Sequence, residues 1–185
     1  MVSLEKIASH IPLSPGYLEK TGAQTVKADI LSFIAVVLAG SFLFLVFYGI
    51  RKVFFERAGV PDLTGITVFT ATTIFLFLVD GLFFLLVISL IEHFFVLFTG
   101  GKPDFEKTLK SVITASALPV LFIWLPIAFH VPYSLLVLAA AFMVFTYYGI
   151  RKFHQKTKDQ AAFVAIFTTG TIVVLLYIAH VKLFG

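Results

Sequence analysis

Long runs of apolar residues without a charge alternate along the chain with short polar segments. Ile30 to Ile50, Ser111 to Phe129, Val131 to Ile150 and Gln160 to Ala179 are four such runs. A helix rises about 1.5 Å per residue, so about 20 residues cross a hydrocarbon core about 30 Å thick. Each run therefore predicts one membrane span. Leu63 to Phe98 is longer, with Asp80 inside it and Glu92-His93 near its end. As one helix it measures roughly 50 Å and protrudes from the core. Broken at Asp80-Gly81, it leaves a first half, Gly65 to Val79, too short to cross comfortably. The pattern predicts an all-α, polytopic transmembrane helical bundle of five spans, with six as the alternative. The spans fall at about 30–50, 63–98, 108–129, 131–150 and 160–181.

Ahead of the transmembrane domain, residues 30–185, the first 29 residues are polar and include Glu5, Lys6, Glu19 and Lys20. No apolar stretch begins at Met1, so a cleaved signal peptide is not expected. Leu4, Ile7, Ile11 and Leu13 lie between polar residues, with Pro12 and Pro15 among them. An irregular cytoplasmic tail is the reading, and a short interfacial helix the alternative.

Composition removes the soluble classes. Apolar residues make up 59% of the 185 and charged residues 13%, with 23 Phe. Average soluble domains have about 45–50% apolar and about 25% charged residues, so this chain lacks polar surface to cover itself. It has no Cys, hence no disulfide or thiolate site, and no Asn, hence no N-glycosylation site. Losing both thermolabile residues fits a hyperthermophile composition. The net charge of +4 does not imply nucleic acid, because the basic residues sit in short loops between spans. There they orient the protein in the membrane. With the N-terminus inside, ten Lys and Arg lie on the inner side (Lys6, Lys20, Lys27, Lys102, Lys107, Lys110, Arg151, Lys152, Lys156, Lys158). Four lie outside (Arg51, Lys52, Arg57, Lys182). A cell-membrane protein with a cytoplasmic N-terminus and an external C-terminus is expected. Six spans with both termini outside give the same bias.

Tyr48-Gly-Ile-Arg-Lys52 recurs as Tyr148-Gly-Ile-Arg-Lys152, and Phe69-Thr-Ala-Thr-Thr-Ile74 is echoed by Phe167-Thr-Thr-Gly-Thr-Ile172. A duplicated two-helix unit, inverted in the membrane, is one reading. A shared solution for a span's end is the other: interfacial Tyr, flexible Gly, snorkelling cations.

Gly100-Gly-Lys-Pro-Asp-Phe-Glu-Lys-Thr-Leu-Lys110 runs into Ser111-Val-Ile-Thr-Ala-Ser-Ala-Leu-Pro119. A Gly pair at a span's end, a charged turn containing Phe105, and a small-residue helix ending at Pro119 resemble the Yip-domain family. The resemblance implies five spans. Eukaryotic members associate with Rab GTPases and act in traffic between endoplasmic reticulum and Golgi. Ala115 stands where the family commonly has Tyr. Asp62-Leu-Thr-Gly-Ile66 keeps only part of the eukaryotic Asp-Leu-Tyr-Gly-Pro signature and follows the first span instead of preceding it. Both departures point to a prokaryotic member.

The motif also makes physical sense by itself. Gly100-Gly101 ends the long helix and Lys102-Pro103 prevents its continuation. Phe105 pins the turn to the bilayer interface. Ala115, Ser116 and Ala117 let a neighbouring helix approach closely. Pro119 is expected to bend or loosen its helix about one turn earlier.

Asp80 is the carboxylate placed deepest in an apolar run, where insertion costs about 2.5–3.5 kcal/mol. At similar depth the five-span pattern sets Thr114, Tyr147 and Thr168. A buried polar site of Asp80 with these hydroxyls is expected, serving either as a structural hydrogen-bond hub or as an ion or proton site. Glu92 and His93 read as a solvated, snorkelling pair at the inner interface. No His spacing suits a metal, no glycine loop suits a nucleotide, and no cofactor or enzymatic site is expected. The function these features predict is a non-enzymatic protein that organises membranes or scaffolds partners. Its contacts are the lipid bilayer and, through cytoplasmic loops, other proteins. A small channel or transporter using Asp80, widened by homo-oligomerisation, is the alternative.

Overall fold

A computed structural model describes residues 25–52, 63–100, 102–129 and 133–184 of the 185. Among them all regular structure is helical: α1 Val26–Ile50, α2 Leu63–Phe98, α3 Phe105–Phe122, α4 Trp124–Phe129, α5 Ser134–Phe153 and α6 Lys158–Phe184. Five segments are long and apolar enough to cross a membrane, the third running from Phe105 to Pro126 across α3 and the start of α4. The protein is an all-α, five-span membrane protein. The N-terminal tail, Arg57, Asp62 and Gly101 lie outside the described residues.

Helix starts and stops follow local chemistry. Thr25 caps α1 by accepting from the Ala28 amide, and Asp104 caps α3 by accepting from the Glu106 amide at 2.9 Å. Thr157 and Gln160 cap the start of α6 reciprocally: each side chain accepts from the other's amide. At the end of α2, Gly100 adopts φ +82°, a left-handed turn that glycine takes without steric cost.

The long second helix is unbroken through Asp80-Gly81. One carboxylate leaves the backbone hydrogen bonds intact, and Gly81 leaves room for Val37 of α1, whose methyls would lie 3.1 and 3.3 Å from a Cβ there. In the third span no break falls one turn before Pro119. The helix continues through Ala115 and Pro119 to Phe122, and the interruption falls at Ile123. Pro119 frees only the Ala115 carbonyl. The ring of Pro126 would oppose the carbonyl of Phe122, four residues earlier, and this is where α3 gives way to α4.

The bundle is built with hydroxyls inside and phenyl rings outside. Thr108 and every residue from Lys110 to Ser116 are buried on α3, which packs against α1, α2 and α5. Phe75, Phe83, Phe98, Leu135 and Tyr177 are exposed, as a lipid-facing belt requires. Lipid tails solvate Phe and Leu as well as a core does, so small and hydroxyl residues are the ones that gain from facing each other. The two Tyr-Gly-Ile-Arg-Lys copies differ in setting. Gly49 has open space beside it, whereas a Cβ on Gly149 would lie 2.5 Å from Ser111 Oγ. Ile50 is 40% exposed and Ile150 is fully buried.

Candidate functional site

Three segments meet at one end of the bundle. They are the start of α1, the α2–α3 turn, and the α5–α6 turn. Asp29 on the first turn of α1 is buried within electrostatic reach of Lys110 and Glu106 on α3, and those two form an i,i+4 ion pair at 3.3 Å. The two turns are braced to each other. Gln160 Nε2 donates to the Thr99 carbonyl at 2.9 Å, and Lys156 donates to the Gly100 carbonyl. Beneath them, Thr108 Oγ1 sits 3.0 Å from His93 Nδ1 and 3.2 Å from His154 Nε2. A hydroxyl has one proton and two lone pairs, and Thr108 Oγ1 also lies 3.4 Å from the Asp104 carbonyl. Its proton therefore goes to that carbonyl or to one imidazole, while its lone pairs accept from the other ring. The Phe105 ring meets His93 edge-on at 5.3 Å.

Above the brace lies a shallow cleft of about 210 Å³ lined by Lys102, Pro103, Asp104, Lys107, His154 and Lys156. Burial pushes the His154 imidazole down to about 4, the neighbouring charges of Lys107 and Lys156 and the nearby His93 add to this, and Asp104 opposes it. His154 is therefore neutral at pH 7, the state its bond to Thr108 requires if it accepts. Lys102, Lys107, Arg151, Lys152 and Lys158 are exposed around this end. The result is a basic end of the bundle whose two turns are joined by side-chain hydrogen bonds.

The second polar feature lies deeper and differs from the expected one. Asp80 is exposed, so it does not join Thr114, Tyr147 and Thr168. On α2 the buried residues are Thr73, Leu85, Ser89, Glu92 and Val96, with half-buried Phe77 and Gly81 between. Asp80 lies off that row. Thr114 Oγ1 donates back to the Lys110 carbonyl at 2.9 Å, and Tyr147 is half-buried against the cluster of Val96, Ile150, Ala161 and Val164. Thr168 is fully buried.

The residue that pattern reading misplaced is Glu92, which is fully buried instead of snorkelling. It lies only about 9 Å inside the end of α2, yet it points into the bundle, where Ser111 faces its carboxyl. Among the described residues the Ser111 hydroxyl is the one group that meets the carboxyl, and Thr146 Oγ1 and Thr168 Oγ1 have no hydrogen-bond partner. Ser89-x-x-Glu92 on α2 and Thr108-x-x-Ser111-x-x-Thr114 on α3 are the signals that mark these inner faces: hydroxyls at helical spacing inside otherwise apolar spans. Among the described residues, no three of His, Asp and Glu converge as a metal-holding group.

Five apolar spans, an outer belt of Phe and Leu, an inner file of hydroxyls and one braced basic end define a polytopic helical membrane protein. The Yip1 domain family model matches residues 23–179, most of the chain, and the protein belongs to that family. Neither a curated protein nor a solved structure matches the chain.

Proposed function

We propose that this protein is a non-enzymatic membrane organiser that scaffolds partners at the cytoplasmic face, through the platform formed by residues 99–100, 102–107 and 151–160. The observation that carries this reading is the bracing of the two turns through Gln160, Lys156 and the His93–Thr108–His154 contact. Loops that merely joined helices would not need cross-links. Loops held rigid present their exposed lysines at fixed spacing, which lowers the ordering cost of binding an acidic partner surface. Placing this end in the cytoplasm accords with the excess of Lys and Arg on it. The transport alternative has less support, because an exposed Asp80 lines no path within one copy.

The test is site-specific photo-cross-linking in cells from position 107, compared with position 75 on the lipid-facing surface. Discrete protein adducts are expected from 107 alone, and Lys107→Glu with Lys156→Glu should remove adducts formed from position 102. Equal adduct patterns from 107 and 75, together with ion flux in proteoliposomes, would sink the scaffold reading.

A further inference from the structure

Two apolar clusters enclose the unpaired polar atoms around Glu92. Val96, Ile150 and Val164 pack together in one, and Ile88, Phe142, Ala115 and Ile172 in the other. Glu92 lies midway between Ile88 and Val96, Thr146 midway between Phe142 and Ile150, and Thr168 midway between Val164 and Ile172. Each is one helical turn from both clusters, so α2, α5 and α6 bring these residues to one level. Ser111 reaches the same level from α3, one turn from Ala115, facing the Glu92 carboxyl and touching the backbone of α5 at Gly149. All four residues are fully buried. Together they present both carboxylate oxygens and three hydroxyl oxygens; Ser111 meets the Glu92 carboxyl, while Thr146 Oγ1 and Thr168 Oγ1 have no hydrogen-bond partner.

Buried polar atoms almost always have partners, and a buried charge is paired or holds a metal ion. A buried carboxyl met by one hydroxyl, with two further hydroxyls unpartnered at the same level, therefore leaves oxygen coordination for a ligand. The donors are all hard oxygens, with no His or thiolate, which excludes preference for softer transition metals and suits alkali or alkaline-earth cations. A single carboxylate balances one positive charge. We propose that Glu92, Ser111, Thr146 and Thr168 form a buried site for one monovalent alkali-metal cation, Na⁺ in the first instance, which ties α2, α3, α5 and α6 together. The ion sits one layer below the basic platform, so its binding sets the rigidity of the helices that carry those loops.

The experiment is thermal unfolding of the purified full chain in detergent, with NaCl, KCl or LiCl exchanged for choline chloride at constant ionic strength. Na⁺ should raise Tm saturably, by about 5 °C or more once its concentration exceeds Kd about a hundredfold. Glu92→Gln, which keeps shape and removes the charge, should abolish the shift. Thr168→Val, which keeps the charge and removes one oxygen, should move the midpoint of the Na⁺ dependence upward about tenfold. The Thr168→Val comparison decides the matter if the Glu92 variant does not fold. An equal Tm in choline and Na⁺, or an unchanged Na⁺ response in either variant, overturns the proposal. So does a wild type indifferent to Na⁺ whose Tm responds to pH only while Glu92 is present, since Glu92 is then a protonated structural carboxyl.

Discussion

His154 occupies a position that is easy to read once its neighbours are named. It is half-buried at the end of α5, bonded to Thr108, and surrounded by Lys107 and Lys156, so its charged form is disfavoured down to about 4. In the unfolded chain it titrates near 6.5. Between those values the unfolded state binds a proton that the folded state refuses, and stability rises with pH wherever that holds. The contribution is therefore complete above about pH 6.5 and is lost as the pH falls towards 4. Tm measured across this window should fall on acidification in the wild type and fall less in His154→Gln, with the two curves diverging between pH 6.5 and 4. Parallel curves would show that His154 carries no such linkage. Nothing in the sequence marked this residue beyond its place in a polar loop, because the effect arises from α3 and α5 meeting.

At the scale of the element, α3 is the hub, and two glycines on its neighbours set how closely they approach. A Cβ on Gly40 of α1 would lie 2.9 Å from the Val120 carbonyl oxygen, a backbone atom that cannot rotate aside. A Cβ on Gly149 of α5 would meet Ser111 Oγ at 2.5 Å and Ser111 Cα at 3.3 Å. Gly49, in the earlier copy of the same pentapeptide, faces open space. Overpacking of this kind costs about 1–3 kcal/mol. Gly40→Ala and Gly149→Ala should each lower stability by about that amount in denaturant titration, while Gly49→Ala should be neutral or slightly stabilising by helix propensity. A neutral Gly149→Ala would mean that α5 shifts without loss. The spans themselves were legible in the sequence because length and charge exclusion define them. Their faces were not. When a helix is apolar all round, periodicity does not say which side turns inward, and the depth of a carboxylate in the sequence does not say whether it faces lipid. That is why Asp80 read as the buried group and Glu92, nearer a helix end, as the solvated one. The inner face is written in Ser and Thr at spacings of three and four, since small polar residues drive helix contact where lipid removes the advantage of apolar ones.

For the whole molecule, an odd number of spans has one unavoidable consequence. The chain enters α1 beside the α2–α3 and α5–α6 turns and leaves α6 at the opposite end of the bundle. Charge bias alone could not establish this, because five and six spans divide the Lys and Arg ten to four alike. An unbroken α2 separates the two cases. The braced end carries Lys102, Lys107, Arg151, Lys152, Lys156 and Lys158, while the opposite side has Arg51 and Lys52, with Lys52 held over the Tyr48 ring at 5.5 Å. Lys and Arg near span ends resist translocation, so the braced end should stay in the cytoplasm. Fusions of a reporter active only in the cytoplasm should be active at the N-terminus and within the 154–157 turn, and inactive at the C-terminus. Activity at both termini would require α2 to turn back at Asp80-Gly81 in the membrane. Because Gly81 packs against Val37 inside one continuous helix, the fusions should read opposite sides.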